Sequence, residues 1–399
     1  MSAMEPWRRS LDAAGLVDAD GSTRPTIFAE MSALATAHDA VNLGQGFPDE
    51  DGPSEVLDAA VEAIRSGANQ YPPGRGTPDL RAAISEHRAR FGSPALDPET
   101  EVLVTAGATE AIAAALLALV PPDGEVVTLS PFYDSYAAII GLIGARHTTI
   151  PLRGADFQPE PADIDAAIGP STTVVLLNNP HNPTGSVIAP ELLERIAARA
   201  AAHGAVVVSD EVYEHLVFDG APFTPIAAVP SARGRALSIS SAAKTFRVTG
   251  WKIGWITGPA ALIEAVVAVK QFLTYVNGAP FQPAVAVGLR LPDAYFTEAS
   301  LVLQRRRDLL SAGLRDAGFA VSPSRGSYFV VADAAPLGVE DGAAFARELV
   351  RDAGVASIPL AAFAPGSSDP AIRSSLRFAF CRRDEAIEES VRRLSAYRR

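Results

Sequence analysis

A lysine, an aspartate and an arginine stand in this chain in settings that chemistry would need. Lys244 lies in SISSAAKTFRVTGWKIGWITG (238–258). A lysine amine becomes a nucleophile toward an aldehyde, forming a Schiff base, when its neighbours desolvate it and hold the carbonyl compound in place. Ser241 precedes it by three residues and Lys252 follows by eight, a hydroxyl and a fixed cation suited to a phosphate ester. Gly250, Gly254 and Gly258 let backbone pass close to something bulky. The ordinary alternative is a surface lysine in a loop. Asp210 closes the run AVVVSD, with Tyr213 three residues on. A carboxylate there can pair with a protonated ring nitrogen through a charge-assisted hydrogen bond, or cap the next helix. Tyr213 can bond the phenolate oxygen of such a ring, or simply pack. Arg377 alternates with apolar residues in SSLRFAF, where a guanidinium is costly without an anion. A substrate carboxylate would satisfy it, and so would a structural Asp or Glu.

Four further segments carry candidate ligands. NNPHNPTG (178–185) packs two prolines, three asparagines and a glycine behind a buried strand. That density implies a rigid turn, with a cis peptide bond expected before Pro180 or Pro183, presenting the amide of Asn182 to a ligand. GAT (107–109) opens a helix, offering the backbone of Ala108 and the amide and hydroxyl of Thr109 to an anion. Tyr133 in PFYDSY can stack on an aromatic ring or fill core. Tyr71 lies in NQYPPGRGTPDLRAAI, a Gly- and Pro-rich loop that either crosses to a neighbouring subunit or is a plain surface turn.

The elements that must position these residues are legible as apolar, β-branched runs: EVLVT (101–105), EVVTLS (125–130), TTVVLLN (172–178), AVVVSD (205–210) and ALSIS (236–240). They alternate with helical stretches, the pattern of an α/β fold with a mostly parallel, helix-covered sheet. Ligands of such sheets sit beyond the carboxyl ends of the strands, where GAT, PFYDSY, NNPHNPTG, DEVY and SAAK follow. From about Val285 a long helical stretch leads to GFAVSPSRGSYFVVAD (318–333) and a last helix-and-strand alternation. The expected organisation is an N-terminal arm over 1–45, packing with the small domain or reaching across a partner subunit, a large domain over 46–285 and a small α/β domain over 286–399.

Composition bounds the partners. With 48% hydrophobic and 20% charged residues in 399, the chain is of globular type, too long for one small core. A formal charge of -12 and a pI near 5.0 argue against nucleic acid and anionic membrane, so a phosphate site must be local and preorganised. The start has no apolar signal-peptide core, and AIAAALLALV (111–120) is too short to span a bilayer. Cys381 is the only cysteine, which excludes an intrachain disulfide and a cysteine-rich zinc site; no metal is expected, and the expected compartment is the cytoplasm.

Taken together the blocks NLGQGFPD, NQYPPGRG, VTAGATEA, PFYDSY, NNPHNPTG, SDEVYEHLVFDG, SAAKTFRVTGWKIGW, GSYFVVAD and LRFAF, in this order over nearly the whole chain, resemble the class I aminotransferases of the pyridoxal-phosphate fold-type I family. Within it the chain is most similar to the kynurenine–oxoglutarate and methionine transaminase branch. Through FAEMSALA, VNLGQGFPDEDGP, NQYPPG, NGAPFQPAVA and CRRDEAIEESVRRLS it resembles the actinobacterial N-succinyldiaminopimelate aminotransferases in particular.

The resemblance implies a large domain with a mostly parallel seven-stranded sheet, pyridoxal 5′-phosphate as cofactor, ping-pong transfer between an amino acid and a 2-oxo acid, and a homodimer with interfacial sites. It assigns the Schiff base and the shuttled proton to Lys244, the pyridinium to Asp210, the ring oxygen to Tyr213 and Asn182, and ring stacking to Tyr133. The phosphate falls to Ala108, Thr109, Ser241 and Lys252, with Tyr71 arriving from the other subunit. Arg377 and Asn182 grip the substrate carboxylate, the amide of Gly46 assists, and Phe28 and Tyr328 line the substrate side. The implied reaction is N-succinyl-diaminopimelate:2-oxoglutarate transamination; a kynurenine, methionine or glutamine transaminase, or a cysteine-conjugate β-lyase, is the alternative. Two departures stand out. Gly278 replaces a branch histidine contributed by the second subunit, which would open the pocket to a longer side chain. Arg247 stands where a small residue is common, and solvent is its expected surrounding rather than a distal carboxylate.

Overall fold

The computed structural model describes residues 5–397. After β1 (Val41–Asn42), eight strands form the central sheet: β2 (Val102–Thr105), β3 (Glu125–Ser130), β4 (Arg146–Arg153), β5 (Gln158–Pro159), β6 (Thr172–Asn178), β7 (Val206–Asp210), β8 (Ala236–Ser241) and β9 (Gly254–Thr257). Their spatial order is β2-β9-β8-β7-β6-β3-β4-β5. The pairs β4/β3, β3/β6, β6/β7 and β7/β8 are parallel, while β9 runs antiparallel to both β8 and β2. The mostly parallel sheet is therefore as expected, with a two-residue edge strand, β5, added to the seven by antiparallel pairing with β4. Strands β2 and β8 are buried at every residue, which is why their sequences read as unbroken apolar or small runs with helices on both faces.

A second sheet is built from β10 (Ala320–Val321), β11 (Phe329–Asp333), β13 (Ile358–Pro359) and β14 (Ser375–Ala379), in the antiparallel order β10-β11-β14-β13. The long helix expected from about Val285 is two helices, Phe281–Leu289 and Asp293–Asp316, because Pro292 stands between them as the N-cap of the second. The N-terminal segment divides. Helix Pro6–Ala13 lies on helix Asp134–Ile143, where a Cβ at Gly141 would meet Ala13 at 2.6 Å. Strand β1 instead joins β12 (Val355–Ala356) in a parallel pair, tying residues 41–42 to the C-terminal sheet region. One apolar core, including Val175 and Val207 of the central sheet and Phe329, Val331 and Phe378 of the second, continues between the two sheets. Val212, Tyr213 and Phe329 of that core also line the cavity described below.

One buried ionic cluster fixes the turn after β7. Arg88 donates to Glu211 at 2.8 Å and to Glu214 at 2.5 Å, and Ser238 and Ser240 donate to the same two carboxylates. All three ionic partners are nearly solvent-free, so the charges are stabilised by each other and by hydroxyls rather than by water. The cluster locks helix Pro78–Arg90 to the segment that directly follows Asp210.

Candidate active site

The cavity has a volume of about 330 Å³ and opens beyond the carboxyl ends of β3, β6, β7 and β8. Lys244 enters it from the short helix Ala242–Thr245 that follows β8. Its amine donates to Gly46 O at 3.2 Å, and burial holds it down to about 8, with Asp210 among the groups that favour its charged form. A partly neutral amine at neutral pH is what nucleophilic attack requires.

Asp210 ends β7 in full burial. Burial raises its carboxyl to about 6, opposed by hydrogen bonds from Tyr136 Oη to Oδ2 at 2.6 Å and from the Val212 amide to Oδ1 at 3.3 Å. No cation forms an ion pair with it among the described residues. Such a carboxylate is complementary to a protonated ring nitrogen, which would supply the missing charge. Tyr136 is a positioning group that residue type and spacing did not single out: it lies in the first turn of the helix that Tyr133 caps. Asn178 was passed over as well: it donates to Asp210 O at 2.9 Å and accepts from the Asn182 amide at 2.7 Å, binding the ends of β6 and β7 together. The NNPHNPTG turn has cis bonds before both Pro180 and Pro183.

At the other end of the cavity, helix Gly107–Leu119 begins without a side-chain cap, leaving first-turn amides at Ala108 and Thr109 facing the cavity. Gly107 has φ +77, and a Cβ there would lie 3.3 Å from Lys252 Cε and Nζ; the ammonium is thereby held beside the helix start. Gly254 lets β9 pass the same turn, since a Cβ would come within 2.8 Å of Ala108 N. Ser241 lines this end. An uncapped helix N-terminus with an adjacent lysine and hydroxyl is an anion cradle, in a protein whose net charge repels anions elsewhere. Cradle, buried carboxylate and low-pKa lysine together fit the phosphate, ring nitrogen and aldehyde of pyridoxal phosphate. Tyr133 and Tyr213 flank the space between, with burial pushing the Tyr133 hydroxyl up to about 12 and that of Tyr213 further.

Arg377, on β14, is 2% exposed. It donates to Asn182 Oδ1 at 2.9 Å and Gly44 O at 2.7 Å, its Nε has no partner, and the rings of Phe329, Phe363 and Phe28 lie 4.0, 4.6 and 5.4 Å from it. No carboxylate pairs with it among the described residues, and burial lowers it to about 10. Asp134 in the same cavity favours its charged form without reaching ion-pair contact, and a guest carboxylate is the direct partner this cation lacks.

Tyr328 and Arg247 fall elsewhere than expected. Tyr328 does not line the cavity: it is 1% exposed, its hydroxyl donates to Gly46 O, and Phe329 faces the cavity instead, because successive residues entering a strand point oppositely. Tyr71, expected at the partner's phosphate, is 83% exposed, stacks edge-on with Tyr275 and lines a separate groove together with Gly278. The glycine at 278 has a local cause, since φ is +54 and a Cβ would strike Ile253 Cδ1 at 2.3 Å. Arg247 is half-buried rather than free in solvent, donating to Asp51 O at 2.9 Å beside Glu50. No group of three or more metal-ligating side chains occurs among the described residues, and no helix among them is long and apolar enough to cross a membrane.

The profile of the family described as aminotransferase class I and II matches residues 38–394. A probable N-succinyldiaminopimelate aminotransferase of Mycobacterium tuberculosis is 51% identical over 378 residues, covering 93% of this chain and 95% of that one. The methionine aminotransferase of Escherichia coli is 36% identical, with 92% and 95% covered. Among solved structures, the N-succinyldiaminopimelate aminotransferase of Mycobacterium tuberculosis superposes with a TM-score of 0.90 at 52% identity, over 93% of this chain and 97% of that one. A lysine, a buried carboxylate and an anion cradle at these positions have the family's chemistry as their common explanation, and the chain belongs to the class I and II aminotransferases, enzymes that depend on pyridoxal phosphate.

Proposed function

We infer that this transaminase moves the amino group of N-succinyl-diaminopimelate to 2-oxoglutarate, and that Lys244, Asp210 and Arg377 carry the reaction. The observation that carries the site reading is Arg377: a buried guanidinium with two neutral hydrogen-bond partners and no carboxylate, opening onto the cavity that holds Lys244. An α-carboxylate is common to amino acid and 2-oxo acid, so one clamp serves both half-reactions in turn. The substrate itself is supported by similarity to the Mycobacterium tuberculosis enzyme.

Pyridoxal phosphate, when bound, supplies an aldehyde for the amino group and a ring that accepts electrons. Ala108, Thr109, Ser241 and Lys252 would hold its phosphate, Tyr213 and Asn182 its ring oxygen, and Tyr133 a ring face. Asp210 would keep a proton at the ring nitrogen; Tyr136 and the Val212 amide aim its two oxygens. Arg377, Asn182 and the Gly46 amide orient the substrate, and Phe28 and Phe329 exclude water around the clamp. Lys244 Nζ takes the α-proton and returns it, a transfer made effectively intramolecular by fixed placement.

The same reading takes 46–285 as the cofactor-binding domain and 286–399 as the small domain, with 1–45 as an arm touching both. It also takes the enzyme as a homodimer, in which Tyr71 of the partner subunit reaches the phosphate. The exposed aromatics Tyr71, Phe272 and Tyr275 on one side of the chain support that interface. The test is a half-reaction screen: holoenzyme is mixed with N-succinyl-diaminopimelate, methionine, kynurenine or glutamine alone, and loss of the cofactor's visible absorbance is followed. Fastest loss with the succinylated donor, reversed by 2-oxoglutarate, supports the reading; preference for another donor assigns the activity to that substrate. Release of ammonia and pyruvate from a cysteine conjugate without a keto acid would identify the β-lyase instead.

A further inference from the structure

Gly46 O is shared by two donors. Lys244 Nζ reaches it at 3.2 Å, and Tyr328 Oη donates to the same oxygen. A carbonyl has two lone pairs and can serve both at once. The ring of Tyr328 lies beneath the amine as well, with Nζ 5.5 Å from its centroid. That ring is held by the edge of Tyr213, at 5.0 Å between centroids and 83° between planes. The carbonyl is equally constrained. A Cβ on Gly46 would meet Phe329 Cζ at 2.7 Å and Tyr328 Cε2 at 3.5 Å, so the loop is pressed onto the start of β11 at a distance that only glycine permits. Behind the amine, Lys244, Tyr328, Thr245 and Cys381 border a small cavity of about 30 Å³, enough for an ammonium-sized group to change position.

We propose that Tyr328 is a positioning residue for Lys244: its hydroxyl fixes the Gly46 carbonyl, and that carbonyl and the tyrosine ring face form a resting place for the amine whenever the amine is not covalently engaged. This rests on Lys244 being the reactive amine. A transaminase lysine must leave its bond, stay within reach of the substrate α-carbon, take a proton, and come back. A long flexible side chain released into a cavity that also holds Arg377 and Lys252 would be repelled into many rotamers. The carbonyl and the ring face both attract the protonated amine more than the neutral one. They therefore oppose the burial that makes the amine a poor proton holder. Tyr328 has no place in this scheme as a substrate contact, since Phe329 occupies the wall facing the clamp.

The experiment compares wild type, Tyr328→Phe and Tyr328→Leu in two measurements. In the first, cofactor-free protein is mixed with pyridoxal phosphate across pH 6 to 10, and the rate of Schiff-base absorbance is followed. The wild-type rate should rise with a midpoint near 8, the value to which burial lowers the amine. Tyr328→Leu, without ring or hydroxyl, should move the midpoint down by about half to one pH unit. In the second, transamination is measured with protonated and α-deuterated donor. Tyr328→Phe keeps the ring but frees the carbonyl, and should lower kcat by about tenfold, leave the donor KM within about twofold, and enlarge the isotope effect. A raised KM with unchanged kcat and isotope effect overturns the proposal in favour of a substrate contact. Unchanged values throughout reduce Tyr328 to packing and also overturn it. Should the leucine variant fail to fold, the phenylalanine variant decides alone. Lys244→Ala is the control for the underlying reading: if it forms the same Schiff base as wild type, the assignment of Lys244 fails, whatever Tyr328 does.

Discussion

Without the cofactor, Asp210 is a carboxylate held in burial with no cation in ion-pair contact and only the more distant Lys244 to favour its charge, and that has a measurable signature. Its folded-state pKa is raised from 3.8 to about 6. The folded protein therefore binds more protons than the unfolded chain between those values, and its stability falls as pH rises through that window. Below 3.8 the carboxyl is neutral in both states and costs nothing. Above 6 the full penalty is in place, about 3 kcal/mol for a shift of about two units. Asp210→Asn is neutral at every pH, so it removes the titrating part. Its unpaired amide hydrogens beside Tyr136 and the Val212 amide cost about 1 kcal/mol, an amount independent of pH. The stability difference, variant minus wild type, should therefore grow in favour of the variant by about 1.4 kcal/mol between pH 5.0 and pH 7.5. Urea unfolding of the two cofactor-free proteins at both pH values reads this directly. With cofactor bound the order should reverse, since asparagine cannot compensate a ring cation. A difference that is the same at both pH values would refute the reasoning, because Asp210 would then not be a carboxyl whose charge burial disfavours.

Other outcomes follow from single side chains. Arg377→Ala should lower kcat/KM for donor and acceptor alike by about a hundredfold or more while the cofactor's absorbance stays intact, as expected for loss of a desolvated carboxylate clamp; selective loss for one substrate in steady-state kinetics would contradict a shared clamp. Gly107→Ala, at φ +77 and 3.3 Å from Lys252 Nζ, should weaken pyridoxal phosphate binding by about tenfold at a stability cost of about 1 kcal/mol, checked by equilibrium dialysis and denaturation. Gly278→Ala should destabilise by about 1–3 kcal/mol through strain and contact with Ile253, with the donor KM unchanged; a large KM effect would return that residue to the substrate site. Arg88→Met strands Glu211 and Glu214 in the interior and should cost about 3–5 kcal/mol in chemical denaturation.

The parts of this molecule that the sequence exposes are those where a local pattern has one physical meaning. Buried parallel strands must be apolar along their whole length, so β2, β3, β6, β7 and β8 were readable, and their carboxyl ends led to Lys244, Asp210 and Asn182. Strand β4 was not: as RHTTIPLR near the sheet edge it is half exposed, and lacks that signature. Strand β9 hides inside the glycine-spaced run after Lys244, where Gly254 serves the close approach to Gly107 and Gly258 the approach to Ala236, while a Cβ at Gly250 would meet nothing. Tyr136 and Asn178 lie within motifs that drew notice, but only the hydrogen bonds to Asp210 separate them from packing residues. The exchange of Tyr328 for Phe329 turns on a one-residue strand phase, and a run of five mixed aromatic and small residues does not declare its phase. The backbone angle that calls for glycine at 278 is invisible in the letters.

The sequence contains three lysines, at 244, 252 and 270, which makes the central claim directly measurable. Lys270 lies outside the cavity, its amine bound to Tyr275 O at 2.5 Å, and Lys252 sits at the phosphate end. Holoenzyme reduced with borohydride, digested and mapped by mass spectrometry should carry one phosphopyridoxyl group per chain, on the peptide containing Lys244. A label on Lys252 or Lys270, or none, would contradict the account.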